Sequence, residues 1–188
     1  DEDSEKEERC IASVQESRSD GVIFVPTGYH KKPLLQLQKE GIPVVLLDRK
    51  VPGVKADVVL SNNVEAAFQA TSYLIENGHS RIAVILGRKG VTSSDERFKG
   101  FKKAMRKTGI PMEREYIVRG DYRVEGGRQA CQTLLELDPP PTAIFVVNNR
   151  MTVGALEALQ EAQYSCPEDV SLIGFDDFEG LSLFDPPV

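Results

Sequence analysis

The sequence predicts an α/β fold built on parallel strands, on three observations. Short apolar runs alternate with stretches of helical periodicity from residue 21 to residue 175 without a break. The runs PVVLLD, AVILG and TAIFVV are almost continuously apolar, as strands covered on both faces of a parallel sheet are. The clearest unit, PTAIFVVNNRMTVGALEALQEAQYSCPEDVSLIGFDD at 141–177, sets apolar runs at 142–147 and 170–175 on either side of a helical stretch with Val153, Leu156 and Leu159 in register. That is a βαβ unit, whose two strands run parallel with a right-handed crossover. The whole order of elements implies doubly wound parallel sheets.

Residues 1–18 are charged and polar with a thin stripe of Cys10, Ile11 and Val14, which predicts a surface helix with one covered edge. A β-branched run at 21–26, closed by Pro26-Thr27-Gly28, predicts the first strand. Leu34, Leu35 and Leu37 predict a short helix stopped at Gly41, and 43–48 and 58–60 predict two further buried strands. From 63 to 78, Val64, Ala67, Phe68, Leu74 and Ile75 lie on one face of a helix, with Asn62 or Asn63 able to cap its start and Gly78 its end. A strand at 81–87, a helix at 96–107, a strand at 116–120 and a helix at 126–137 follow, and DPPPT stops the last before the βαβ unit.

The 188 residues carry a formal charge of −6 and 40% hydrophobic content, enough for a real core. The acidic balance gives no electrostatic footprint for nucleic acid. Three widely spaced cysteines, Cys10, Cys131 and Cys166, imply neither a disulfide framework nor a metal site and fit a reducing compartment. No stretch approaches the ~20 apolar residues of a membrane span, and the opening DEDSEKEER is unlike a signal peptide. The two histidines, the absent G-x-S-x-G elbow and the absent P-loop give no catalytic constellation. Neither an enzyme nor a cofactor is expected, and His79 reads as a structural residue of a helix-to-strand turn.

In open parallel sheets, ligands collect beyond the carboxyl ends of strands, and here those ends carry Asn148-Asn149 and Asp176-Asp177. The same stretch, with DGVIFVP, GIPVVLLDR, LIENGHSRIAVILG and ERFKGFKKAM, resembles the effector-binding core of LacI/GalR-family transcriptional regulators. The resemblance runs over nearly the whole chain, with several motifs in order. It implies a periplasmic-binding-protein-like type I fold of two doubly wound subdomains, here 1–78 and 79–188, with a ligand cleft between them. It also implies that a helix-turn-helix head, a linker, a first βαβ unit and a closing segment of the N-terminal subdomain lie outside this chain.

Site residues follow from the resemblance position by position. Arg97 stands in R-F-K-G-F, matching the family's R-x-x-G-F, whose arginine forks onto ligand oxygens; a cation at a helix start is poorly placed for the helix dipole, which leaves room for that role. Ser93 and Glu96 have capping-box spacing around it. Asp176, first acid of GFDD, is expected to accept hydrogen bonds from ligand hydroxyls. Asn148 heads the N-D-x-M-A-x-G pattern, Tyr122 in GDY is expected to cover an apolar ligand face, and Thr27 completes the effector set. Two carboxylates of the family pattern are amides here: Ser61-Asn62-Asn63 stands for S-D-N, and Asn149 stands for the Asp after Asn148. A two-fold dimer is implied through Met151 of the 151–163 helix and through Leu181, Leu183 and Phe184 after GFDD.

The expected partners are a small effector (a sugar, sugar phosphate or purine), a second copy of the chain, and operator DNA through the separate head, all in the cytoplasm without membrane contact. The alternative is a periplasmic sugar-binding protein of an ABC transporter. A third, more distant reading is an α/β enzyme.

Overall fold

The computed structural model describes residues 2–17, 19–28 and 31–177. They form two compact units: residues up to Asn62 together with Lys89–Asp95, and Asn63–Arg88 together with residues from Glu96 onward. The boundary read from the sequence, at residue 78, falls one helix later. Helix α3 (Asn63–Glu76) joins the second unit because Gly100 of α4 (Thr92–Thr108) lets the two backbones touch. A Cβ at Gly100 would lie 2.3 Å from the Val64 carbonyl oxygen and 2.8 Å from Ala67 Cβ.

In the first unit, α1 (Ser4–Glu16) starts at Asp3, whose Oδ1 accepts the Glu5 and Lys6 amides at 3.0 and 3.1 Å. Its covered edge is Ile11 with half-buried Val14; Cys10, expected in that stripe, is exposed, and Glu7 is buried instead. Strands β1 (Val22–Phe24), β2 (Val44–Leu47) and β3 (Asp57–Val59) pair in parallel in the order β1-β2-β3. With α1 and α2 (Lys31–Lys39) they enclose a core of Ile11, Leu34, Leu37, Val44, Leu46 and Val51.

The period of two sends Val22, Phe24, Val44 and Leu46 to that core and leaves the alternate positions on the other face. There Ile23 and Val59 are 74% and 57% exposed. The expectation of strands covered on both faces therefore fails for this sheet, because the helices of the described residues pack on one side only.

That expectation holds in the second unit. Strands β4 (Ile82–Leu86), β5 (Ile117–Arg119), β6 (Ala143–Val146) and β7 (Ser171–Gly174) form a parallel sheet in the order β5-β4-β6-β7, and every residue of central β4 and β6 is buried. A one-turn 3-10 segment, Arg114–Tyr116, leads into β5; its Tyr116 hydroxyl donates to the Pro139 carbonyl at 2.9 Å. Gly78, at a φ of 90°, ends α3 as expected.

Helices α5 (Val124–Leu135) and α6 (Asn149–Glu161) cross at two glycines. A Cβ at Gly127 would sit 2.3 Å from the Met151 carbonyl oxygen, and one at Gly154 would sit 1.9 Å from that of Val124. No helix among the described residues is long and apolar enough to cross a membrane.

The cysteines report on this packing. All three are free thiols: Cys10 exposed, Cys166 half-buried, and Cys131 buried inside α5. Burial pushes the Cys131 thiol up to about 12 and raises that of Cys166, so both resist forming the reactive thiolate. Maleimide labelling of native protein should modify Cys10 first, Cys166 slowly and Cys131 only on unfolding, as read by peptide mass spectrometry. Early labelling of Cys131 would contradict the packing of α5.

Candidate functional site

In the second sheet the chain moves from β4 to β5 on one side and returns to β6 on the other, so the strand order reverses between β4 and β6. The carboxyl ends around such a switch point are where an open parallel sheet leaves a crevice. The carboxyl ends of β6 and β7, beside it, carry Val147-Asn148 and Phe175-Asp176.

Arg97 belongs to this edge but not as a residue of the first helical turn. Helix α4 begins at Thr92, four residues before the predicted start, so Arg97 lies in its second turn. The predicted capping box does not form: Ser93 is buried within the helix, and Glu96 Oε2 accepts the Asn63 side-chain amide at 2.9 Å. Arg97 itself is 3% exposed. Its Nε donates to Asn63 Oδ1 at 2.9 Å and its Nη1 to the Val147 carbonyl at 2.6 Å, while the guanidinium carbon lies 3.6 Å from the centre of the Phe175 ring. The same Nη1 reaches Asp176 Oδ2 at 3.4 Å, farther than its bond to the Val147 carbonyl. The guanidinium is thus fixed on one flank by carbonyl, amide and ring, with a carboxylate beside it.

Asp176 is the outward member of this pair, its side chain half-exposed. It holds a φ of 70°, a left-handed conformation that a non-glycine residue adopts at a cost. Asn148 is the N-cap of α6: its Oδ1 accepts the Met151 amide at 3.0 Å, while its Nδ2 faces Asn149 Oδ1 at 3.4 Å. Asn149 Oδ1 accepts the Arg150 amide at 2.8 Å, and its Nδ2 donates to the Asp177 carbonyl at 3.1 Å. A carboxylate at position 149 could not make that last bond, since it would set two acceptors face to face. The amide therefore has a local reason, holding the turn that carries Asp176.

Tyr122 is 3% exposed, with a φ of 69°, and its ring lies on Gly87, where a Cβ would meet Cζ at 2.1 Å. The ring expected to cover a ligand face is thus buried against the Gly87 backbone. Thr27 lies in the first unit: its amide donates to buried Glu7 Oε2 at 2.6 Å. Met151 is fully buried, its sulfur 2.6 Å from where a Gly120 Cβ would be, so it is a core residue and offers no surface to a dimer partner as the sequence reading had it. Leu181, Leu183 and Phe184 lie outside the described residues. His79 sits in its turn with Nδ1 3.1 Å from the Thr142 hydroxyl, and desolvation lowers its pKa.

Arg97, Asn148 and Asp176 thus meet at one sheet edge. Two members escaped sequence reasoning. Phe175 read only as the end of an apolar run. Asn63 was assigned to a helix cap, yet it is 1% exposed and joins Glu96 to Arg97 by donating to one and accepting from the other. Its signal was there: in Ser61-Asn62-Asn63 it is the residue that keeps the amide of the S-D-N pattern. Among the described residues no cluster of three or more His, Cys, Asp or Glu is placed to hold a metal ion.

A family model described as a periplasmic binding protein-like domain matches residues 71–188. The HTH-type transcriptional repressor PurR of Actinobacillus pleuropneumoniae serotype 3 (strain JL03) is 36% identical over 184 residues, which are 98% of this chain and 55% of that protein. A protein assigned as a ribose operon repressor of Burkholderia thailandensis superposes with a TM-score of 0.88 at 34% identity, covering 100% of this chain and 69% of the other. The transcriptional regulator CelR in complex with cellobiose gives 0.85 at 31% identity, over 96% and 56% of the two chains. The chain spans about half the length of the curated relatives it matches. With its two parallel sheets and motifs in the same order, the chain belongs to the LacI family of transcriptional regulators, in the part of them built as a periplasmic-binding-protein-like domain.

Proposed function

We propose that this chain is the sensor of a LacI-type repressor: it takes up a small polyhydroxylated effector and passes its occupancy to a DNA-binding head. The observation that carries this reading is the Arg97–Asp176 pair, a desolvated guanidinium clamped by protein groups beside a half-exposed carboxylate in a strained conformation. Such a pair offers a charged donor and a charged acceptor side by side, as vicinal hydroxyls require. The Asn148 amide adds a donor and Tyr122 an apolar wall. A sugar is favoured over a purine because one structural relative is solved with cellobiose and another is assigned to a ribose operon. Regulation is favoured over transport because the matching relatives carry repressor names. The working protein is then a cytoplasmic homodimer that uses Leu181, Leu183 and Phe184 and reaches its operator through a helix-turn-helix segment.

The test is calorimetry of the full-length protein against sugars, sugar phosphates and purine bases, followed by operator binding with and without the ligand found. One class should bind with a Kd on the order of micromolar and shift operator affinity. Failure of all three classes, or binding that leaves operator affinity unmoved, would refute the sensor reading.

A further inference from the structure

The charge read from composition hides a local reversal on α4. Lys99, Lys102, Lys103, Arg106 and Lys107 recur at the three- and four-residue spacing of one helical face, in a chain whose net charge is −6. They alone line a shallow concavity of about 480 Å3. Among the described residues Lys103 is the only one of the five with a carboxylate partner, Glu65 at 3.3 Å. Like charges three and four residues apart weaken a helix, and Glu96, the nearest acid on α4, is turned to Asn63. The cost is retained on a helix whose other face is anchored by buried Phe101, Ala104 and Met105.

Two aromatic rings lie against this face. The Lys102 ammonium lies 4.4 Å from the Phe98 ring centre, and those of Lys103 and Lys107 lie 4.4 and 5.4 Å from that of Phe68. Both rings are half-buried, so part of each stays accessible beside the ammonium groups.

We propose that this face of α4 is a docking surface for an acidic protein segment, one that alternates Asp or Glu with apolar side chains. Charge complementarity supplies the attraction, and the rings of Phe68 and Phe98 receive the apolar residues. A nucleic acid duplex fits less well. The stripe spans two to three helical turns, roughly 12 Å, so it meets few phosphates, and a duplex would extend over the acidic remainder of the surface. The face shares no residue with the Arg97–Asp176 pair.

The probe is a short fluorescein-labelled peptide of Glu pairs separated by single Leu residues, titrated into the full-length protein by anisotropy. Binding should weaken steeply as ionic strength rises toward the physiological value, and the Gln version of the peptide should not bind. Combined Lys102→Gln, Lys103→Gln, Arg106→Gln and Lys107→Gln should weaken binding by about tenfold or more. Lys99→Gln with Arg106→Gln, which removes no described contact of the fold, should weaken it by a smaller factor. Effector binding should be unchanged in both variants, which separates failure here from failure of the sensor reading. Equal peptide affinity in wild type and both variants, or random-sequence duplex DNA bound more tightly than the peptide, would overturn the proposal.

Discussion

Replacing Gly154 with Ala is expected to destabilise the second unit by about 3 kcal/mol or more, the upper end of the cost of overpacking. The added methyl would meet the Val124 carbonyl oxygen at 1.9 Å and the Arg128 amide nitrogen at 2.7 Å. Both are helix backbone, so no side chain can swing aside, and the α5–α6 crossing must widen as a whole. Widening would open the contacts around Met151, Ala155 and Ala158, all fully buried. In an exposed helix the same change would gain about 1 kcal/mol of propensity, so the sign of the result tests the packing directly. Urea unfolding should show a lower midpoint at unchanged slope. A midpoint equal to or above that of wild type would mean that the helices do not cross at these glycines.

This glycine shows where the sequence was legible and where it was not. The pattern N-N-R-M-T-V-G placed Gly154 in a helix, and period alone recovered that helix and the strands around it, because β4 and β6 are apolar at every position and lie in the centre of a sheet. The same rule misjudged β2 and β3, in the sheet they share with β1. Ile23 and Val59 are as apolar as their neighbours, and nothing local distinguishes a face that a helix covers from one left bare. At the site, Arg97 and Asp176 were readable as motif residues, but the depth of Arg97 was not. The helix that carries it starts at Thr92, inside a polar stretch without apolar period, so the predicted start came four residues late and left Arg97 at a solvated end. Asn63 misled for a related reason: a cap is a local reading, whereas its partner Arg97 is far away in sequence. Met151 was assigned to a dimer face by resemblance alone, which does not show that its side chain fills the space beside the Gly120 backbone.

The buried position of Arg97 changes what its removal should do. Arg97→Ala leaves the Val147 carbonyl and Asn63 Oδ1 without their donor and removes the cation from the Phe175 ring. Each unsatisfied buried group costs about 1–3 kcal/mol, so this variant should lose thermal stability as well as effector affinity and cannot by itself locate a binding site. Asp176→Asn separates the two effects. Its side chain is half-exposed, its contact to Arg97 is the long one at 3.4 Å, and Asn tolerates the left-handed backbone at that position, so stability should hardly move. A hydrogen bond to a charged group in a closed site contributes roughly 1.5–3 kcal/mol, and loss of the carboxylate should therefore weaken effector binding by about one to two powers of ten. Arg97→Lys should behave between them, since the charge survives while the planar fork that reaches Asn63 and Val147 together does not. The measurement is calorimetry with the identified effector, paired with thermal unfolding, on wild type and the three variants. Full affinity in Asp176→Asn and Arg97→Lys would exclude the pair from the binding site and leave Arg97 as a structural clamp between α4 and the end of β6.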